Sequence, residues 1–329
     1  SWRTPEPGKR RHGACAETGT IDGIDPGGKP AAFSRNPERT MADIVAIGEP
    51  LFEFNQLPGQ TLYRQGFGGD TANFAVAAAR AGASVAYLTS LGDEAFGRQF
   101  LDLWDREGVD RSAVTLDPEA PTGIYFVSHG PAGHEFTYRR SGSAASRMRF
   151  TEAFAERVAA AKWLHASGIS QAIGPQACDA VFAAIDHARG HGTRVSYDLN
   201  FRPRLWPRAR AAAIARATIA ACDLFLPSID EAAMLFGIED PHRLIAFAHD
   251  LGARAVAVKL GARGAMVSDG EAIHEVAAMR VEPVDATGAG DCFGGVTVPR
   301  LLAGHSLAAA ARPGSPAAAR SPTGYGAID

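Results

Sequence analysis

Cysteine is scarce in this sequence, and the four that it has are scattered. They show no CxxC pair and no histidine at the spacing of metal ligands, and they are Cys15, Cys178, Cys222 and Cys292. This pattern predicts free thiols in a reducing compartment rather than a disulfide framework or a cysteine metal site. We therefore expect a cytoplasmic protein in which Cys178 and Cys222 fill the core.

Long apolar runs and an excess of positive charge are also missing. No segment approaches the roughly 18 apolar residues that a membrane span needs. The 329 residues carry a net charge of −3, and no basic stripe is visible. The sequence therefore predicts neither a membrane partner nor a nucleic-acid partner. Its composition, 46% hydrophobic and 21% charged, is that of an ordinary globular protein.

Two common nucleotide-binding motifs fail on inspection. GIDPGGK (23–29) has the spacing of a P-loop, but Pro30 stands where Ser or Thr is required. Near the end of the chain, Gly288 and Gly290 are followed by Phe293, where a dinucleotide fingerprint has its third glycine. Neither a P-loop nor a Rossmann fingerprint is therefore predicted.

The first 40 residues differ in composition from the remainder. Eleven of them are Gly or Pro, aliphatic residues are few, and no helical or strand periodicity is visible. Such a segment cannot bury enough apolar surface to fold. We expect a disordered leader over 1–40 and one folded domain over 41–329.

From Met41 onward, apolar strand-like segments alternate with helical ones. DIVAIG reads as a buried strand, and the Ala-rich segment that follows reads as a helix with Asp70 as its N-cap. Strands that alternate with helices of this length predict a mainly parallel sheet covered on both faces. The predicted strands are 43–48, 84–90, 163–168, 194–199, 223–227 and 255–261, and the predicted helices are 71–82, 94–108, 175–190, 208–221 and 231–237.

Two stretches interrupt this alternation. Residues 51–65 and 123–140 alternate apolar and polar side chains with period two and turn at Gly or Pro. This pattern is typical of exposed antiparallel strands. We interpret both stretches as a small β lid over the mouth of the sheet.

A glycine-rich loop near the end of the chain surrounds one acidic residue. VDATGAGD (284–291) follows a strand-like segment, and the residues after it have helical character. The free N–H groups and the dipole of a helix that begins here attract anions. The dipole should also keep Asp291 ionised, so that it can accept a proton from a hydroxyl during phosphoryl transfer. From this loop alone, a purely capping role for Asp291 is an equal alternative.

A second glycine motif favours the phosphoryl-transfer interpretation. GFGGDTANFAVAAARAGA (66–83) puts Gly68 and Gly69 directly before a helix that carries Asn73. Gly-Gly followed four residues later by Asn, together with DATGAGD, resembles the PfkB (ribokinase-like) family of sugar kinases. Within this family, segments such as IGEPLFEFNQ, LHASGIS and DLNFRPRLW look most like 2-keto-3-deoxygluconate kinases.

The resemblance implies a ribokinase-like three-layer α/β/α sandwich with a mainly parallel central sheet and a small β lid. It also implies a kinase that uses ATP and Mg²⁺, and it leaves open whether a monovalent cation is needed. Asp291 would be the catalytic base. The positions that would bind the sugar are Gly69, Asp70, Asn73, Tyr125, Tyr138, Arg140 and Arg202. The positions that would bind the nucleotide are Ser228, Lys259, Gly261, Gly264, Thr287, Gly288, Ala289 and Gly290, of which the last three would form an anion hole.

The resemblance also implies a site for the metal ion. Glu231 would organise Mg²⁺ through water, since this cation prefers to retain its hydration. The family usually has Asn where Ser228 stands, so the chain departs from the pattern here. Structural roles are open for several of the same residues: lid packing for Tyr125 and Tyr138, ion pairs with Asp198 or Glu135 for Arg140 and Arg202, a strand-end charge for Lys259, and an N-cap for Thr287.

The substrate implied by the resemblance is a small acidic sugar, and 2-keto-3-deoxygluconate in particular, converted to its 6-phosphate. One alternative is a fructokinase or another kinase of the family that acts on a neutral sugar. Another is a catalytically impaired homologue that binds sugar or nucleotide as a sensor. A homo-oligomer formed through the lid is a further expectation.

The C-terminal stretch departs most from the family. RPGSPAAARSP (312–322) stands where a helix that walls the adenine site is expected, and its prolines disfavour a helix. Pro299 is likewise expected to interrupt the helix after the glycine loop. We expect an atypical and apparently truncated C-terminus that weakens ATP binding.

Overall fold

The computed structural model describes residues 41–57, 59–130, 133–278 and 288–312. The predicted leader, the altered stretch from 313 onward, and Thr287 lie outside the described residues. The strands are β1 (Ile44–Ile47), β2 (Leu51–Gln56), β3 (Tyr63–Gly68), β4 (Val85–Leu88), β5 (Ser90–Gly92), β6 (Thr115–Asp117), β7 (Gly123–Gly130), β8 (Gly133–Arg139), β9 (Trp163–Ser167), β10 (Arg194–Asp198), β11 (Leu224–Leu226), β12 (Ala255–Lys259), β13 (Ala265–Ser268) and β14 (Ile273–Val276). The helices are α1 (Asp70–Arg80), α2 (Ala95–Glu107), α3 (Glu152–Ala160), α4 (Gly168–Ala172), α5 (Pro175–Gly190), α6 (Arg208–Ile219), α7 (Ile229–Phe236), α8 (Pro241–Leu251), α9 (Ala289–Leu302) and α10 (Leu307–Ala310).

Eight of the described strands form one central sheet in the order β14-β13-β12-β11-β10-β9-β1-β4. The pairs from β12 through β4 are parallel, whereas β13 and β14 run antiparallel to their neighbours. The predicted mainly parallel sheet is therefore confirmed. The antiparallel edge was not predicted. β5 and β6 form a separate parallel pair.

The central sheet is apolar on both faces because helices cover each of them. In β1, Val45 and Ile47 belong to the core cluster that includes side chains of α3, α5, α6, α7 and α8. The intervening Ile44 and Ala46 belong to the cluster that includes side chains of α1, α2, α9 and α10. Alternate side chains of a strand point to opposite faces of the sheet, so one short apolar strand contributes to two cores. None of the helices in the described ranges is long and apolar enough to cross a membrane.

Helices α1 and α9 approach each other closely through glycine. A Cβ atom on Gly295 would lie 2.6 Å from the Phe74 carbonyl oxygen and 2.7 Å from the Ala77 Cβ. The interruption expected at Pro299 is not observed, because α9 continues to Leu302 and the Ala303 N–H donates to the Pro299 carbonyl over 3.0 Å. Pro299 thus lies inside α9, one turn before its C-terminal end, where it supplies no N–H to the helix.

The lid is a second sheet with the strand order β3-β2-β7-β8. Its two hairpins are antiparallel, as predicted, but β2 and β7 pair in parallel where the hairpins meet. The prediction of exposed strands is wrong for β2, since its side chains are mostly buried. The Phe52 ring lies 4.7 Å from the Phe96 ring of α2, and the Phe54 ring lies 5.1 Å from the Phe126 ring, between centroids. These aromatic contacts bury one face of the lid.

Candidate active site

Polar side chains from several elements converge at one edge of the central sheet. β9, β10 and β12 end at Ser167, Asp198 and Lys259. Helices α1 and α9 carry Asp70 and Asp291 in their first turns. Parallel strands have their carboxyl ends at the same edge, which is where sheets of this kind bind ligands.

Asp291 lies in the first turn of α9 and is hydrogen-bonded to α1. The Asn73 Nδ2 donates to Asp291 Oδ2 over 2.8 Å. The other amide atom, Asn73 Oδ1, is buried and has no hydrogen-bond partner among the described residues. Gly288, with φ of 79°, is the N-cap of α9, a backbone conformation that favours glycine. The glycine loop therefore opens a helix, as predicted, and two of the predicted site residues are in contact.

Asp291 also has two carboxylates as neighbours. Burial raises the pKa of Asp291 well above its usual range, and the charges of Asp70 and Asp198 raise it further. The hydrogen bond from Asn73 and the charge of Lys259 lower this pKa only in part. The glycine loop predicted that the dipole of α9 would keep this carboxyl ionised, whereas its pKa is raised on balance. Desolvation and two like charges outweigh the effect of the helix terminus.

Lys259 places a positive charge beside the beginning of α9. Its Nζ donates to Asp198 Oδ2 over 2.6 Å, and Asp198 is buried. A Cβ atom on Gly290 would lie 3.3 Å from Lys259 Nζ, so the ammonium group is close to the first turn of the helix. Burial alone would lower the pKa of Lys259, but Asp198 and Glu231 raise it on balance. A lysine cation next to a helix N-terminus forms a surface that attracts anions.

Asp70 is fixed by two partners, one at the end of β9 and one just after β10. The Ser167 hydroxyl donates to Asp70 Oδ2, and the Asn200 Nδ2 donates to the same oxygen over 3.0 Å. The predicted N-cap role of Asp70 is wrong, because Asp70 is the first residue of α1 and Gly69 is its cap. Gly69 has φ of 104°, and a Cβ atom there would lie 2.4 Å from the Glu49 carbonyl oxygen. Only glycine fits this close approach without strain.

Arg202 follows β10 and pairs with the acidic residue of α7. Its Nη1 donates to Glu231 Oε1 over 2.8 Å, and its side chain is half exposed. The sequence-based ion-pair alternatives, Asp198 and Glu135, are therefore wrong for Arg202, since the strand order brings α7 closer. Ser228 is the N-cap of α7, and its hydroxyl accepts from the Glu231 N–H over 3.2 Å.

Glu231 has one oxygen that could serve a metal ion. Its Oε2 is buried and has no hydrogen-bond partner within the described part of the chain. A buried acceptor of this kind fits a water molecule held by Mg²⁺, which retains much of its hydration in proteins. The described residues contain no group of three or more His, Cys, Asp or Glu that could hold a metal directly. The residues present therefore fit a metal ion that is bound through water.

The lid contributes two tyrosines and an arginine near the same edge. The rings of Tyr125 and Tyr138 stack with centroids 5.7 Å apart. Arg140 forms an ion pair with Glu49, an acid not foreseen as its partner, and its guanidinium lies 5.7 Å from the Tyr138 ring. Burial raises the pKa of Glu49, and Arg140 and the Ser143 hydroxyl, which donates over 2.6 Å, offset this only in part. The sequence-based pairing of Arg140 with Asp198 or Glu135 is wrong for the same reason, namely a closer partner from a distant segment.

The remaining positions predicted for the nucleotide lie after β12 and at the start of α9. Gly261 and Gly264 have φ of 60° and 93° and bracket a short 3-10 helix. A Cβ atom on Gly264 would lie 2.0 Å from the Val276 carbonyl oxygen, so this position requires glycine. Ala289 is exposed at the first position of α9. All three lie near the sheet end that carries Lys259.

Comparison with known proteins identifies the family of the chain. The family model for the pfkB family of carbohydrate kinases matches residues 40–329. The chain belongs to the pfkB family of carbohydrate kinases. The family membership predicted from the two glycine motifs, and with it the assignment as a carbohydrate kinase, is thereby confirmed.

Individual pfkB relatives support the same conclusion. The 2-dehydro-3-deoxygluconokinase of Thermoproteus tenax is 35% identical over 280 residues, which are 82% of this chain and 85% of that protein. The crystal structure of a PfkB protein from Polaromonas sp. JS666 matches with a TM-score of 0.78 and 30% identity, over 86% of this chain and 96% of that one. A putative ribokinase II from E. coli, in complex with ATP and Mg²⁺, matches with a TM-score of 0.73 and 25% identity, over 82% of this chain and 89% of that one. The ribokinase-like fold is confirmed.

Several residues at the site of this pfkB kinase were not predicted to belong to it. Asn200 and Asp198 lie at the carboxyl end of a predicted strand, and that position alone could have identified them. Ser167 ends another predicted strand in the same way. Glu49 directly follows the predicted strand 43–48 and could have been identified in the same way. Glu53 offered no such signal, because its role depends on a contact with β7.

Proposed function

We propose that this pfkB kinase transfers the γ-phosphoryl group of ATP to the terminal hydroxyl of 2-keto-3-deoxygluconate. The products would be the 6-phosphate of the sugar acid and ADP. The observation that carries the proposal is the position of Asp291, in the first turn of α9 and hydrogen-bonded to Asn73. The 35% identity to a 2-dehydro-3-deoxygluconokinase supports the choice of substrate.

Asp291 is the general base in this proposal. The proton of the terminal hydroxyl passes to the Asp291 carboxylate as the hydroxyl oxygen bonds to the γ-phosphorus, and the bond from that phosphorus to the bridging oxygen of ADP breaks. Because Asn73 donates to Asp291 through Nδ2, its unpartnered Oδ1 can accept a hydrogen bond from another sugar hydroxyl. Asp70, with Ser167 and Asn200 behind it, presents a second fixed carboxylate to the sugar.

The nucleotide phosphates would lie against the beginning of α9. The N–H groups that follow Gly288, Ala289 and Gly290 lack partners within a helix by geometry and are available to the charge that develops on the transferred group. Lys259 adds a positive charge beside Gly290. Glu231 would hold Mg²⁺ through water, and this ion would neutralise charge on the phosphates when it is bound.

The preference for an acid would come from Arg140 and Arg202. Both arginines already pair with glutamates, so a neutral sugar would not leave them without a partner. Arg140 Nε is nevertheless buried without a hydrogen-bond partner in the described part of the chain, and Arg202 is half exposed. A substrate carboxylate can use these remaining donors in charged hydrogen bonds.

The test is an ADP-release assay of the chain against a panel of keto-deoxy sugar acids, aldonic acids and neutral sugars. We expect 2-keto-3-deoxygluconate to be the best substrate. A higher kcat/KM with fructose would support the neutral-sugar alternative. Binding of sugar and nucleotide without any turnover would support the impaired sensor.

The cell compartment, assembly state and cation dependence belong to the same proposal. A cytoplasmic location is supported by the free, buried thiols of Cys178 and Cys222. A homo-oligomer through the lid is supported by Leu62 and Tyr63, which are 61% and 40% exposed on it. Sedimentation of the purified chain tests the oligomer, and the same ADP-release assay in K⁺ and in Na⁺ tests the monovalent cation.

A further inference from the structure

The face of the lid opposite Phe52 and Phe54 carries a buried carboxylate that the proposed reaction does not use. Glu53 lies on β2 and is 1% exposed. The register of β2 and β7 places it directly beside Tyr125, which is 4% exposed. The Tyr125 hydroxyl donates to Glu53 Oε2. A carboxylate so far from water is costly to bury unless it is hydrogen-bonded, so the pair needs a physical explanation.

Two glycines of β3 leave room for this pair. Gly66 lies opposite Glu53 in the β2–β3 register, and a Cβ atom there would lie 3.2 Å from Glu53 Oε1. A Cβ atom on Gly68 would lie 2.5 Å from the Tyr125 hydroxyl oxygen. A side chain at Gly68 would displace the Tyr125 hydroxyl, and one at Gly66 would crowd the Glu53 carboxylate. Gly66 and Gly68 therefore have a function distinct from that of Gly69, whose φ is positive.

The second oxygen of Glu53 is also engaged. Asn55 Nδ2 donates to Glu53 Oε1 over 3.4 Å. Asn55 Oδ1 lies 2.8 Å from His129 Nε2, and because the amide oxygen only accepts, the histidine nitrogen is the donor. Glu53 thus has one oxygen bonded to Asn55 and the other to Tyr125, so its carboxylate cannot rotate without breaking these hydrogen bonds.

We propose that Glu53 is a positioning residue that fixes the direction of the Tyr125 hydroxyl and thereby contributes to substrate specificity. The Tyr125 hydroxyl has one hydrogen, and it donates this hydrogen to Glu53 in a hydrogen bond. Toward the sugar, the Tyr125 oxygen can therefore only accept hydrogen bonds. The site then accepts a hydroxyl hydrogen from the substrate and repels a carbonyl or carboxylate oxygen at the same place. Tyr125 with Glu53 thus senses the configuration of one secondary hydroxyl of the sugar acid. This inference rests on the proposed function and on the sugar-binding role that the family resemblance implies for Tyr125.

The test is a double-mutant cycle of Glu53→Gln and Tyr125→Phe, measured with 2-keto-3-deoxygluconate and with its C4 epimer, 2-keto-3-deoxygalactonate. In Glu53→Gln, the contact with Asn55 is kept if the amide oxygen replaces Oε1, so the amide nitrogen then faces Tyr125 and donates to it. The hydroxyl of Tyr125 would turn its proton toward the sugar. We expect either single variant to raise KM for the preferred epimer by about 5- to 10-fold, the usual value of one hydrogen bond, with kcat changed less than about twofold.

The cycle distinguishes positioning from simple stabilisation of the lid. We expect the ratio of kcat/KM between the two epimers to move toward one in both single variants, and Glu53→Gln to add nothing in the Tyr125→Phe background. The matched control is Glu135→Gln, the same chemical change at an exposed position of β8, which should leave both epimers unaffected. Additive effects in the cycle, or equal losses with both epimers, would overturn the inference.

The proposed function is judged separately, from the wild-type chain alone. If the wild type prefers another sugar of the panel, the proposed substrate is wrong. The same cycle is then measured with that sugar and an epimer of it, and the expectations for Glu53 are unchanged. Calorimetric titration of each variant with sugar gives a Kd that does not depend on turnover. A wild type that binds none of the sugars would overturn both the function and the inference.

Discussion

Replacement of Asp291 by asparagine separates its chemical role from its structural one. The carbonyl of the new amide can accept the hydrogen bond that Asn73 Nδ2 now donates to Asp291 Oδ2 over 2.8 Å. The start of α9 and its N–H groups should therefore be unchanged. What Asp291→Asn loses is the ability to accept a proton. We expect kcat to fall by about 10²- to 10⁴-fold, the range for loss of a general base, while the Kd for ATP stays the same.

The same variant should not be less stable than the wild type. The pKa of Asp291 is raised in the folded protein, mainly by burial and then by Asp70 and Asp198. As the pH rises above about 3.9, the usual value of an unfolded aspartate, the unfolded chain loses its proton first, so the ionisation of Asp291 reduces the free energy of unfolding. An amide does not carry this cost. We expect Asp291→Asn to melt at the same or a higher temperature at neutral pH, with the gain shrinking as the pH falls toward 4.

The measurements are steady-state ADP release, calorimetric titration with ATP, and thermal melting at several pH values. The matched control is Asp186→Asn, which makes the same change at an exposed position of α5. It should leave all three measurements unchanged. Near-normal kcat in Asp291→Asn would refute the reasoning and return Asp291 to a capping role. A large loss of ATP binding would show that the carboxylate shapes the nucleotide site instead.

Three further predictions follow from charges and composition. Because Lys259 lowers the pKa of Asp291, Lys259→Met should raise that pKa and move the acid limb of the kcat/KM profile to higher pH. Loss of the ion pair between Lys259 and buried Asp198 should also lower the Tm. An acid limb that does not move would contradict the assignment of Asp291 as the general base. The wild type should prefer the acid to fructose by at least about tenfold, roughly 1.4 kcal/mol, and Arg202→Ala should cost the acid more than fructose; equal losses would exclude a carboxylate contact. Deletion of residues 1–40 should leave activity and Tm unchanged within error, since the composition of this segment favours no packing. A Tm lower by several degrees would show that the segment docks on the folded domain.

The sequence was sufficient to predict the elements that carry the two glycine motifs. Predicted helix 175–190 coincides with α5, and α9 begins within the loop that was expected to open a helix. These predictions depended on local signals, namely apolar periodicity and small residues next to an acidic one. The same kind of signal is present for α8, which Asp240 caps and Pro241 begins, although α8 was not predicted.

The partners of the charged residues could not be predicted in this way. Arg140 pairs with Glu49 and Arg202 with Glu231, and both contacts join segments that are far apart in the sequence. Such pairs depend on the order of strands in the sheet and on the position of the lid, which local periodicity does not specify. The parallel pairing of the two lid hairpins was missed for the same reason.

Burial, which the sequence does not reveal, determines how well Asp291 could serve as a base. A carboxylate of ordinary pKa holds a proton too weakly to be an efficient base near neutral pH, and the optimum lies close to the working pH. At this site burial, Asp70 and Asp198 all raise the pKa of Asp291, while Asn73 and Lys259 limit the increase. The arrangement costs stability in the folded protein, because two like charges face a buried carboxyl. For a general base, as proposed for Asp291, a raised pKa means a greater proton affinity, which is the direction that catalysis near neutral pH requires.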